Sequence, residues 1–429
     1  MEYINRIVDK NIEDKLSYIG AIAIRGPKWC GKTTSAKRFA NSFINLQDED
    51  NKDNYLKIYN KKPSLLLEGE KPRLIDEWQE MPRLWNSVRN AVDNSDEVGQ
   101  YILTGSATPN EKEKAKLHPG TGRYGFITMK PLTLYESGES NGKISLRDIV
   151  DGKRNIDGIK SDIDYEKLAY LICRGGWPNA ISLDEKKSLN IAKDYIDTVC
   201  NSDISKIDGV SRNPELAKNI IKAYARQICT IDSNEALFKD VKSNFGNVSD
   251  KTILEYINIL RKMFIIEEIP AWNPNIRSKT SIRTSPKKTF VDPSLACAAL
   301  NVSPKDLMFD PNTYGLMFEN LVNRDLSVYV NEIGGYLKHF RDRYGLECDN
   351  VIHFENGKYA LVEVKIAFDE IENAEKNLLK ISELIREYNK TSKIKIKEPN
   401  FLMIITGIGT MAYTTENNVL VVPIGCLKD

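Results

Sequence analysis

A glycine-framed loop near the start of the chain has the residue spacing that holds phosphate groups. Residues 26–33 read GPKWCGKT, which satisfies G-x-x-x-x-G-K-[ST] and follows the apolar run AIAI. Gly26 and Gly31 leave the backbone free to turn its N–H groups inward, and a helix beginning at Lys32 points the positive end of its dipole at the same place. Lys32 then reaches the β- and γ-phosphates, and the Thr33 hydroxyl ligates Mg²⁺. The alternative is a glycine-rich turn that merely precedes a helix.

The loop predicts a set of nucleotide-binding residues. Trp29 and Cys30 are bulkier than such a loop needs, so their side chains are predicted to point away from the phosphates. The residues predicted to bind the nucleotide in this segment are Gly26, Pro27, Lys28, Trp29, Cys30, Gly31, Lys32, Thr33 and Thr34.

Turnover of a bound nucleotide needs acidic residues at the end of a neighbouring strand, and residues 72–82, PRLIDEWQEMP, offer them. Asp76 ends a short apolar run and is predicted to hold the Mg²⁺ shell, while Glu77 orients and polarises the attacking water. Taken alone, Asp-Glu after two apolar residues is common on solvated strand ends. A third strand, YILTGSA, ends in Thr104 and Ser106, which either sense the γ-phosphate or serve as turn formers.

Taken in order, these segments resemble a known family. GPKWCGKTT, LIDEWQEMP, YILTGSATP and GTGRYGFITMKPLTLYE are similar to segments of the prokaryotic AAA+-type ATPases that carry a C-terminal domain of unknown function of the DUF4143 type. YLICRGGWPNAI, GLMFENLVNRDL and FRDRYGLECDNVIHFENGKYALVEVKI extend the resemblance over nearly the whole chain. It implies an ATPase domain, a helical and winged-helix middle, and a restriction-endonuclease-like C-terminal domain. Arg123 matches a position suited to an arginine finger, in cis or in trans, or to a phosphate sensor; the alternative is a surface arginine.

Composition narrows the class of protein. The 61 Lys and Arg residues against 60 Asp and Glu give a net charge of +1, so no global field attracts nucleic acid. Seven scattered cysteines without a C-x-x-C pair argue against a disulfide framework and a zinc site, which fits a reducing cytoplasm. The three histidines are not spaced as metal ligands usually are. Any metal is therefore expected to be a hard cation bound by carboxylates. No apolar run approaches the ~20 residues that span a bilayer, and the N-terminus does not resemble a signal peptide.

The chain length predicts several domains. We place a P-loop AAA+-like ATPase domain at residues 1–135, a polar linker at 136–164, and a helical lid-like region at 160–235 because apolar residues recur there at helical spacing. Residues 236–290 show the helix, turn, helix and strand order of a winged helix-turn-helix. Its predicted wing carries a basic stripe that would neutralise DNA phosphates; the alternatives are a solvated loop and a protein-docking module. The basic residues are Arg277, Lys279, Arg283, Lys287 and Lys288.

Residues 291–429 predict a restriction-endonuclease-like domain from the element order αβββαβ. Glu363 and Lys365 lie two apart on a strand and face the same side. Asp349 ends the adjoining strand and shares a predicted Mg²⁺ with Glu363, and Glu319 comes from the preceding helix. Lys365 would polarise the nucleophile. The alternative is a half-buried strand that alternates for solubility alone, or a domain that has lost cleavage and kept binding.

The sequence therefore predicts an α/β multidomain fold with a parallel P-loop sheet, a helical and winged-helix middle, and a nuclease-like C-terminal domain. The predicted function is Mg²⁺-dependent ATP hydrolysis coupled to DNA binding or processing, in a soluble cytoplasmic protein without membrane contact. Two alternatives stay open. One is an ATP-dependent regulatory switch that docks protein partners, and the other is a structural role with ATP binding and negligible turnover. A homo-oligomer or a protein partner also stays open.

Overall fold

The computed structural model describes residues 3–106, 120–207, 209–273, 285–342, 345–355, 357–391, 393, 395–409 and 411–429. The chain divides into two units, and each is discontinuous in sequence. Unit 1 comprises Met1–Pro131, Val199–Asn213 and Asn258–Ile265, and unit 2 comprises Leu132–Thr198, Pro214–Ile257 and Ile266–Asp429.

Helices and strands cover most of the described residues. The α-helices are α1 (Val8–Leu16), α2 (Lys32–Phe39), α3 (Lys52–Lys61), α4 (Arg83–Asp93), α5 (Leu146–Val150), α6 (Tyr165–Arg174), α7 (Pro178–Ile181), α8 (Glu185–Thr198), α9 (Ile204–Lys206), α10 (Pro214–Arg226), α11 (Asn234–Phe245), α12 (Asp250–Lys262), α13 (Pro293–Leu300), α14 (Pro304–Phe309), α15 (Pro311–Glu332) and α16 (Ile371–Thr391). The strands are β1 (Ala21–Arg25), β2 (Ser42–Asn45), β3 (Arg73–Asp76), β4 (Tyr101–Gly105), β5 (Tyr124–Thr128), β6 (Ile144–Ser145), β7 (Ile266–Ile269), β8 (Lys287–Phe290), β9 (Gly335–Arg341), β10 (Glu347–Phe354), β11 (Tyr359–Lys365), β12 (Leu402–Thr406), β13 (Tyr413–Thr414), β14 (Val419–Pro423) and β15 (Leu427–Lys428). Short 3-10 helices span Pro63–Leu67, Trp78–Glu80, Phe368–Glu370 and Ile424–Cys426, and a π-helical turn spans Val199–Asp203.

In the described part of unit 1, a five-stranded sheet has the order β2-β3-β4-β1-β5, with every pair parallel. Side chains of successive strand residues alternate between two apolar clusters: Ala21 and Ala23 belong to one, and Ile22 and Ile24 to the other. Because both faces of the sheet are covered, its strands read as continuous apolar runs. The predicted parallel P-loop sheet is confirmed.

Unit 2 contains a larger, mixed sheet. Within the described residues its six strands have the order β13-β14-β12-β11-β10-β9, antiparallel among β9, β10 and β11 and parallel from β11 to β12 and from β12 to β14. α16 connects the parallel neighbours β11 and β12 and buries Leu378 and Ile381 on one face of the sheet. The element order α15, β9, β10, β11, α16, β12 is the one the sequence predicts.

The segment 136–164 differs from the prediction of a poorly packed linker. It contains α5 and β6, and β6 pairs in parallel with β15 at the end of the chain. Ile144, Leu146 and Ile149 are buried. The segment looks polar in sequence because its few apolar residues stand among many charged and polar ones. Burial of those apolar residues is nevertheless enough to pack the segment within unit 2.

The predicted domain boundaries also differ from the observed division. Unit 1 ends its first stretch at Pro131, close to the predicted 135, but it also takes in Val199–Asn213 and Asn258–Ile265. Those two stretches lie inside the predicted regions 160–235 and 236–290. A domain boundary can be predicted from sequence only where the amino-acid composition changes. A chain that returns to an earlier unit need not change its composition there.

The prediction of a solvent-exposed basic wing is wrong for two of its five residues. β7 and β8 form an antiparallel pair, and all four residues of β8 are buried, Lys287 and Lys288 included. These two lysines therefore do not offer their charges to a solvent-side phosphate. The other three predicted residues of the stripe, Arg277, Lys279 and Arg283, lie outside the described residues.

Two further features concern the membrane-spanning potential of the helices and the cysteines. In the described ranges, no helix combines the length and the apolar character that crossing a membrane requires. The seven cysteines all lie in described residues, and each is buried.

Candidate functional site

The loop after β1 is shaped by glycines that no other residue could replace without strain. Gly26 has φ 153°, and a Cβ built on it would lie 2.1 Å from the carbonyl oxygen of Met129. Gly31, with φ 99°, is the N-cap of α2. Only glycine adopts such angles at little cost. The chain can thus turn tightly and present the first N–H groups of α2 to an anion.

The lysines of the loop have different partners. Lys32 is buried, and its ammonium group donates to the carbonyl oxygens of Gly26 at 3.1 Å and Pro27 at 2.7 Å. Lys28 pairs with the buried carboxylate of Asp203 at 2.8 Å. The Lys32 ammonium is consequently held within the loop, where a phosphate would offer it stronger acceptors than carbonyl oxygens.

The bulky loop residues are placed in two ways. Cys30 belongs to an apolar cluster beneath the sheet together with Ile22 and Met129, and its thiol lies 3.7 Å from the Met129 carbonyl oxygen. Trp29 has φ 63° and an exposed side chain. Thr34 is exposed on α2, one position after Thr33.

The acidic residues at the end of β3 meet this loop. The Thr33 hydroxyl donates to Asp76 Oδ1 at 2.8 Å, and Thr104, at the end of β4, donates to the same oxygen. Asp76 is buried, so these hydroxyls fix its orientation. A hydroxyl and a carboxylate side by side are hard oxygen donors of the kind that Mg²⁺ accepts. The residues present fit a nucleotide-bound Mg²⁺.

Glu77 has a backbone conformation that is costly for glutamate, with φ 55° and ψ 47°. A left-handed non-glycine residue of this kind costs on the order of 1–2 kcal/mol, so the surrounding structure must hold it there. Its Oε2 accepts from the Ser106 hydroxyl at 3.3 Å and from the side-chain amide of Gln79. Glu77 is therefore oriented by one residue from the 3-10 turn after β3 and one from the residue that follows β4.

Gln79 was not among the residues predicted from the sequence. Its Nε2 donates to Glu77, and within the described residues its buried Oε1 has no hydrogen-bond partner. A Cβ on Gly105 would lie 2.8 Å from that Oε1, so the glycine that ends β4 makes room for the amide. An acceptor beside an oriented carboxylate suits a water molecule. The only sequence signal was a glutamine two residues after the acidic pair.

We expect Gln79→Ala to lower kcat for ATP hydrolysis by ~10-fold to ~10²-fold, because a misplaced Glu77 no longer aligns the attacking water. KM for ATP should stay within about twofold, since the described hydrogen bond of Gln79 is to Glu77 and not to a residue of the phosphate loop. Steady-state kinetics on the variant measure both constants. Glu80→Ala, an exposed residue of the same 3-10 turn, is the control. Equal kcat values in both variants would show that Gln79 does not position Glu77.

Arg123 lies apart from this group. It directly precedes β5, and its carbonyl oxygen accepts from the N–H of Ala21 at the start of β1. The loop follows the other end of β1, five residues or ~16 Å away at ~3.3 Å per residue. The guanidinium pairs instead with Asp93 at 2.5 Å. The structure thus does not bring Arg123 to the phosphate loop of its own chain, and an action in trans stays a prediction.

The four residues predicted from the C-terminal region do come together in unit 2. Lys365 Nζ lies 3.1 Å from Glu363 Oε2 and 3.7 Å from Asp349 Oδ2. The N–H of Val364 donates to the same Asp349 oxygen at 2.9 Å. Glu319, on α15, reaches the cluster through Lys287, whose ammonium group contacts Glu319 Oε1 at 2.5 Å and the Asp349 carbonyl oxygen at 2.8 Å.

Two members of this cluster were not predicted as site residues. Lys287 was placed on a basic wing, and Asn377 on α16 was not singled out. The Asn377 amide donates to Glu363 Oε1 at 2.7 Å and to the Glu347 carbonyl oxygen at 2.6 Å. The Glu347 carboxylate itself faces Arg341 at 3.6 Å. Asn377 therefore fixes the second oxygen of Glu363, which leaves both oxygens of that carboxylate with partners.

Burial and neighbouring charges shift the pKa values of the three carboxyl groups of this cluster. It raises the pKa of Glu319 to about 7 against the opposing charge of Lys287. Burial and the Asp349 charge raise the pKa of Glu363 to about 8. Burial alone would also raise the pKa of Asp349, but the ammonium groups of Lys287 and Lys365 hold it below its usual value. Asp349 is thus the carboxylate that stays ionised.

The metal predicted on Asp349, Glu363 and Glu319 finds no ligand set here. Across the described ranges, no three His, Cys, Asp or Glu side chains are grouped so that they could hold a metal ion. Lysine ammonium groups lie instead against the carboxyl groups of Glu319, Asp349 and Glu363.

Two family models match parts of the sequence. Residues 19–137 match the AAA domain, and residues 165–306 match a domain of unknown function, DUF8612. The first match agrees with the parallel sheet and the glycine loop of residues 19–137. Residues 19–137 match the AAA domain and have the fold of a P-loop ATPase. The ATPase part of the expected resemblance is confirmed. The matched domain of unknown function differs from the expected DUF4143 type, and the nuclease-like assignment stays a prediction.

Solved structures similar to this chain include two ATPases and an Orc1 protein. A Walker-type ATPase of Pyrococcus abyssi is 13% identical, with a TM-score of 0.43, over 69% of this chain and 96% of its own. The Orc1 protein of Aeropyrum pernix, solved in complex with DNA, is 12% identical, with a TM-score of 0.22, over 72% and 94%. A signal transduction ATPase of Pyrococcus horikoshii with a tetratricopeptide repeat sensor is 14% identical, with a TM-score of 0.24, over 77% and 50%. These TM-scores are low and carry no argument about function. No curated protein matches the sequence.

Proposed function

We propose that the protein is a Mg²⁺-dependent ATP hydrolase that couples turnover in its ATPase domain to nucleic-acid binding. The hydrolase part rests above all on one observation, the 2.8 Å contact between the Thr33 hydroxyl and Asp76 Oδ1. It joins the end of the phosphate loop to the end of β3, and these are the two places from which an ATPase must hold its metal.

The chain's own residues divide the work of hydrolysis. Lys32 exchanges the carbonyl oxygens of Gly26 and Pro27 for phosphate oxygens, and so neutralises charge that develops during transfer. Thr33 and Asp76 would hold Mg²⁺, which would supply Lewis-acid stabilisation of the phosphate oxygens when bound. Glu77 orients the attacking water and accepts its proton, with Ser106 and Gln79 fixing the carboxylate.

The nucleic-acid part rests on the order of elements in residues 214–290. α10, α11 and α12 precede the antiparallel pair of β7 and β8, which is the order of a winged helix-turn-helix. α11 ends at Phe245 with Gly246, φ 102°, as its C-cap, and α12 begins four residues later, so the turn between the two helices is short. A module of this kind can place a helix in a DNA groove, and Arg277, Lys279 and Arg283 would supply phosphate contacts.

One observation favours a second function, the ATP-dependent switch that docks a protein partner. Lys287 and Lys288 are buried, which removes two of the five cations from the predicted stripe. With a net charge of +1 over the whole chain, little electrostatic attraction to DNA remains. Winged helices of this charge can bind proteins instead, and ATP hydrolysis would then set the lifetime of the docked state.

Steady-state ATP hydrolysis by the full-length chain tests both functions. We expect turnover in Mg²⁺ that EDTA abolishes, and a several-fold stimulation by duplex or single-stranded DNA that falls as the salt concentration rises. Magnesium-dependent turnover that ignores DNA would refute the coupling and support the switch. Nucleotide binding without measurable turnover would refute the hydrolase itself.

A further inference from the structure

An ion pair joins the phosphate loop to a segment far along the chain. The Lys28 ammonium group lies 2.8 Å from Asp203 Oδ1, and both residues belong to unit 1. Asp203 is buried, whereas the Lys28 side chain is half-exposed. A carboxylate removed from water in this way requires a counter-charge. The charge of Asp203 therefore acts directly on a residue of the phosphate loop.

The segment that carries Asp203 is fixed by its own contacts. Asp203 ends the π-helical turn, which follows α8 without a break and continues into α9. Turns of this kind inside α-helices are rare and are frequent at functional sites. The neighbouring side chains of Cys200 and Ile204 are buried, and the N–H of Arg212 donates to the Ser205 hydroxyl at 3.0 Å. The position of the carboxylate is thus specified by the fold.

Lys28 is a neighbour of the atoms around which phosphates would bind. The carbonyl oxygen of Pro27 accepts from the Lys32 ammonium group at 2.7 Å, and Lys28 directly follows Pro27. Lys32 is the residue that reaches the β- and γ-phosphates in a loop of this kind. Lysine carries its charge on a flexible four-carbon stem, so the Lys28 ammonium group can turn from one anion to another. A bound nucleotide offers it a second anion.

The two members of the pair should have opposite effects on nucleotide binding. Without Lys28, the buried carboxylate of Asp203 would repel the phosphates, because charges in a medium of low dielectric constant interact strongly. Without the charge of Asp203, the Lys28 ammonium group would be fully available to the phosphates. A pair that only stabilised the loop would instead weaken binding when either member is lost.

We propose that Asp203 sets the nucleotide affinity of the phosphate loop: it holds the Lys28 ammonium group, and the phosphates of a nucleotide bind in competition with it. By thermodynamic reciprocity, a bound nucleotide weakens the contact between Lys28 and Asp203 and so loosens the tie between the loop and the segment that follows α8. The inference rests on the nucleotide binding of the proposed function and does not require turnover.

Equilibrium binding of a fluorescent, non-hydrolysable ATP analogue with Mg²⁺ to the full-length chain tests the proposal. Asp203→Asn keeps the shape of the side chain without its charge and should bind ~5-fold or more tightly than the parent protein, a coupling of ordinary size. Lys28→Met should bind ~5-fold or more weakly, and the double variant should lie between the two. These differences should shrink as the salt concentration rises, because Lys28 is half-exposed.

Lys52→Met and Glu49→Gln are the matched controls. Lys52 pairs with Glu49 at 3.0 Å in the same unit, and its side chain is 42% exposed, as against 43% for Lys28. Both controls should bind the analogue as the parent protein does. Changes in the controls as large as those in the Lys28 and Asp203 variants would show a general effect of charge and would overturn the proposal.

The sign of the Asp203→Asn effect decides between competition and a purely structural pair. Equal or weaker binding by this variant would overturn the proposal. If circular dichroism shows that Lys28→Met does not fold, the double variant replaces it, since it lacks the ammonium group and leaves no carboxylate unpaired. Tighter binding by Asp203→Asn than by the double variant then supports the proposal, and equal binding contradicts it.

The same data separate this inference from the proposed hydrolase. If the expected order of affinities is found without turnover, the role of Asp203 is supported and only the hydrolase is refuted. If the parent protein binds the analogue in another order relative to its variants, the role of Asp203 is refuted and nucleotide binding is retained. Absence of binding in every variant would refute both.

Discussion

Replacing Lys32 with alanine is expected to abolish ATP turnover, with kcat lowered by at least ~10²-fold to ~10³-fold, the loss typical of removing one charge-stabilising donor. Lys32 carries a buried ammonium group, and in the described residues its hydrogen-bond acceptors are two main-chain carbonyl oxygens, which are uncharged. Alanine leaves the glycine turns intact but removes the cation that compensates the developing charge. ATP affinity should also fall, because the β- and γ-phosphates lose their strongest partner.

Hydrolysis assays and binding of a fluorescent ATP analogue measure both effects in Lys32→Ala. Lys57→Ala, which removes an exposed lysine from α3, is the matched control and should behave as the parent protein does. Circular dichroism establishes that the variant is folded, as we expect from the loop position of the substitution. Normal turnover in folded Lys32→Ala would refute the assignment of the phosphate loop.

Replacing Arg324 with methionine is expected to destabilise unit 2 by about 3–5 kcal/mol, the usual loss when one member of a buried ion pair is removed. Arg324 lies on α15, and its guanidinium contacts Asp292 at 2.8 Å and Asp325 at 2.7 Å, all three side chains being almost fully buried. The substitution would leave two carboxylates in the interior without a counter-charge. Such a loss is a large part of the ~5–15 kcal/mol that stabilises a folded protein.

The two carboxylates also organise the surrounding backbone. Asp292 accepts from the N–H of Gly176 at 2.9 Å and caps α13, and Asp325 accepts from the N–H of Leu134 at 2.9 Å. Loss of Arg324 would thus loosen three segments of unit 2 together. We expect a clearly lower urea midpoint by circular dichroism, whereas Arg386→Met, at an exposed pair on α16, should change it little. Equal midpoints would show that Arg324 contributes nothing net.

The glycine loop and its place beside Asp76 were predictable because their signals are local. A strand, a loop with two glycines and a helix follow one another within twenty residues, and the loop conformation needs those glycines. Asp76 and Thr104 could be placed beside the loop because the carboxyl ends of parallel strands share one edge of a sheet. Arg123 was the exception: its place in the sequence did not reveal that it directly precedes β5 and lies by the amino ends of the strands, away from the loop.

The residues of the C-terminal cluster were predicted only in part. Asp349, Glu363 and Lys365 were brought together correctly by the element order and the two-residue period of a strand. Lys287 was not, because it ends a run rich in basic residues and looks like part of a solvated loop. Its burial depends on pairing with β7 and on carboxylates far along the chain, and neither condition leaves a local pattern.

The buried cysteines have a practical consequence for labelling. Burial raises the pKa of the thiols of Cys229 and Cys348 well above the usual value and that of Cys426 to about 11, so very little reactive thiolate forms near neutral pH. A maleimide dye can reach these sulfur atoms only when the surrounding structure opens. One cysteine introduced on an exposed helix position would then carry nearly all of the dye, and single-site fluorescence becomes feasible without first removing the seven native thiols.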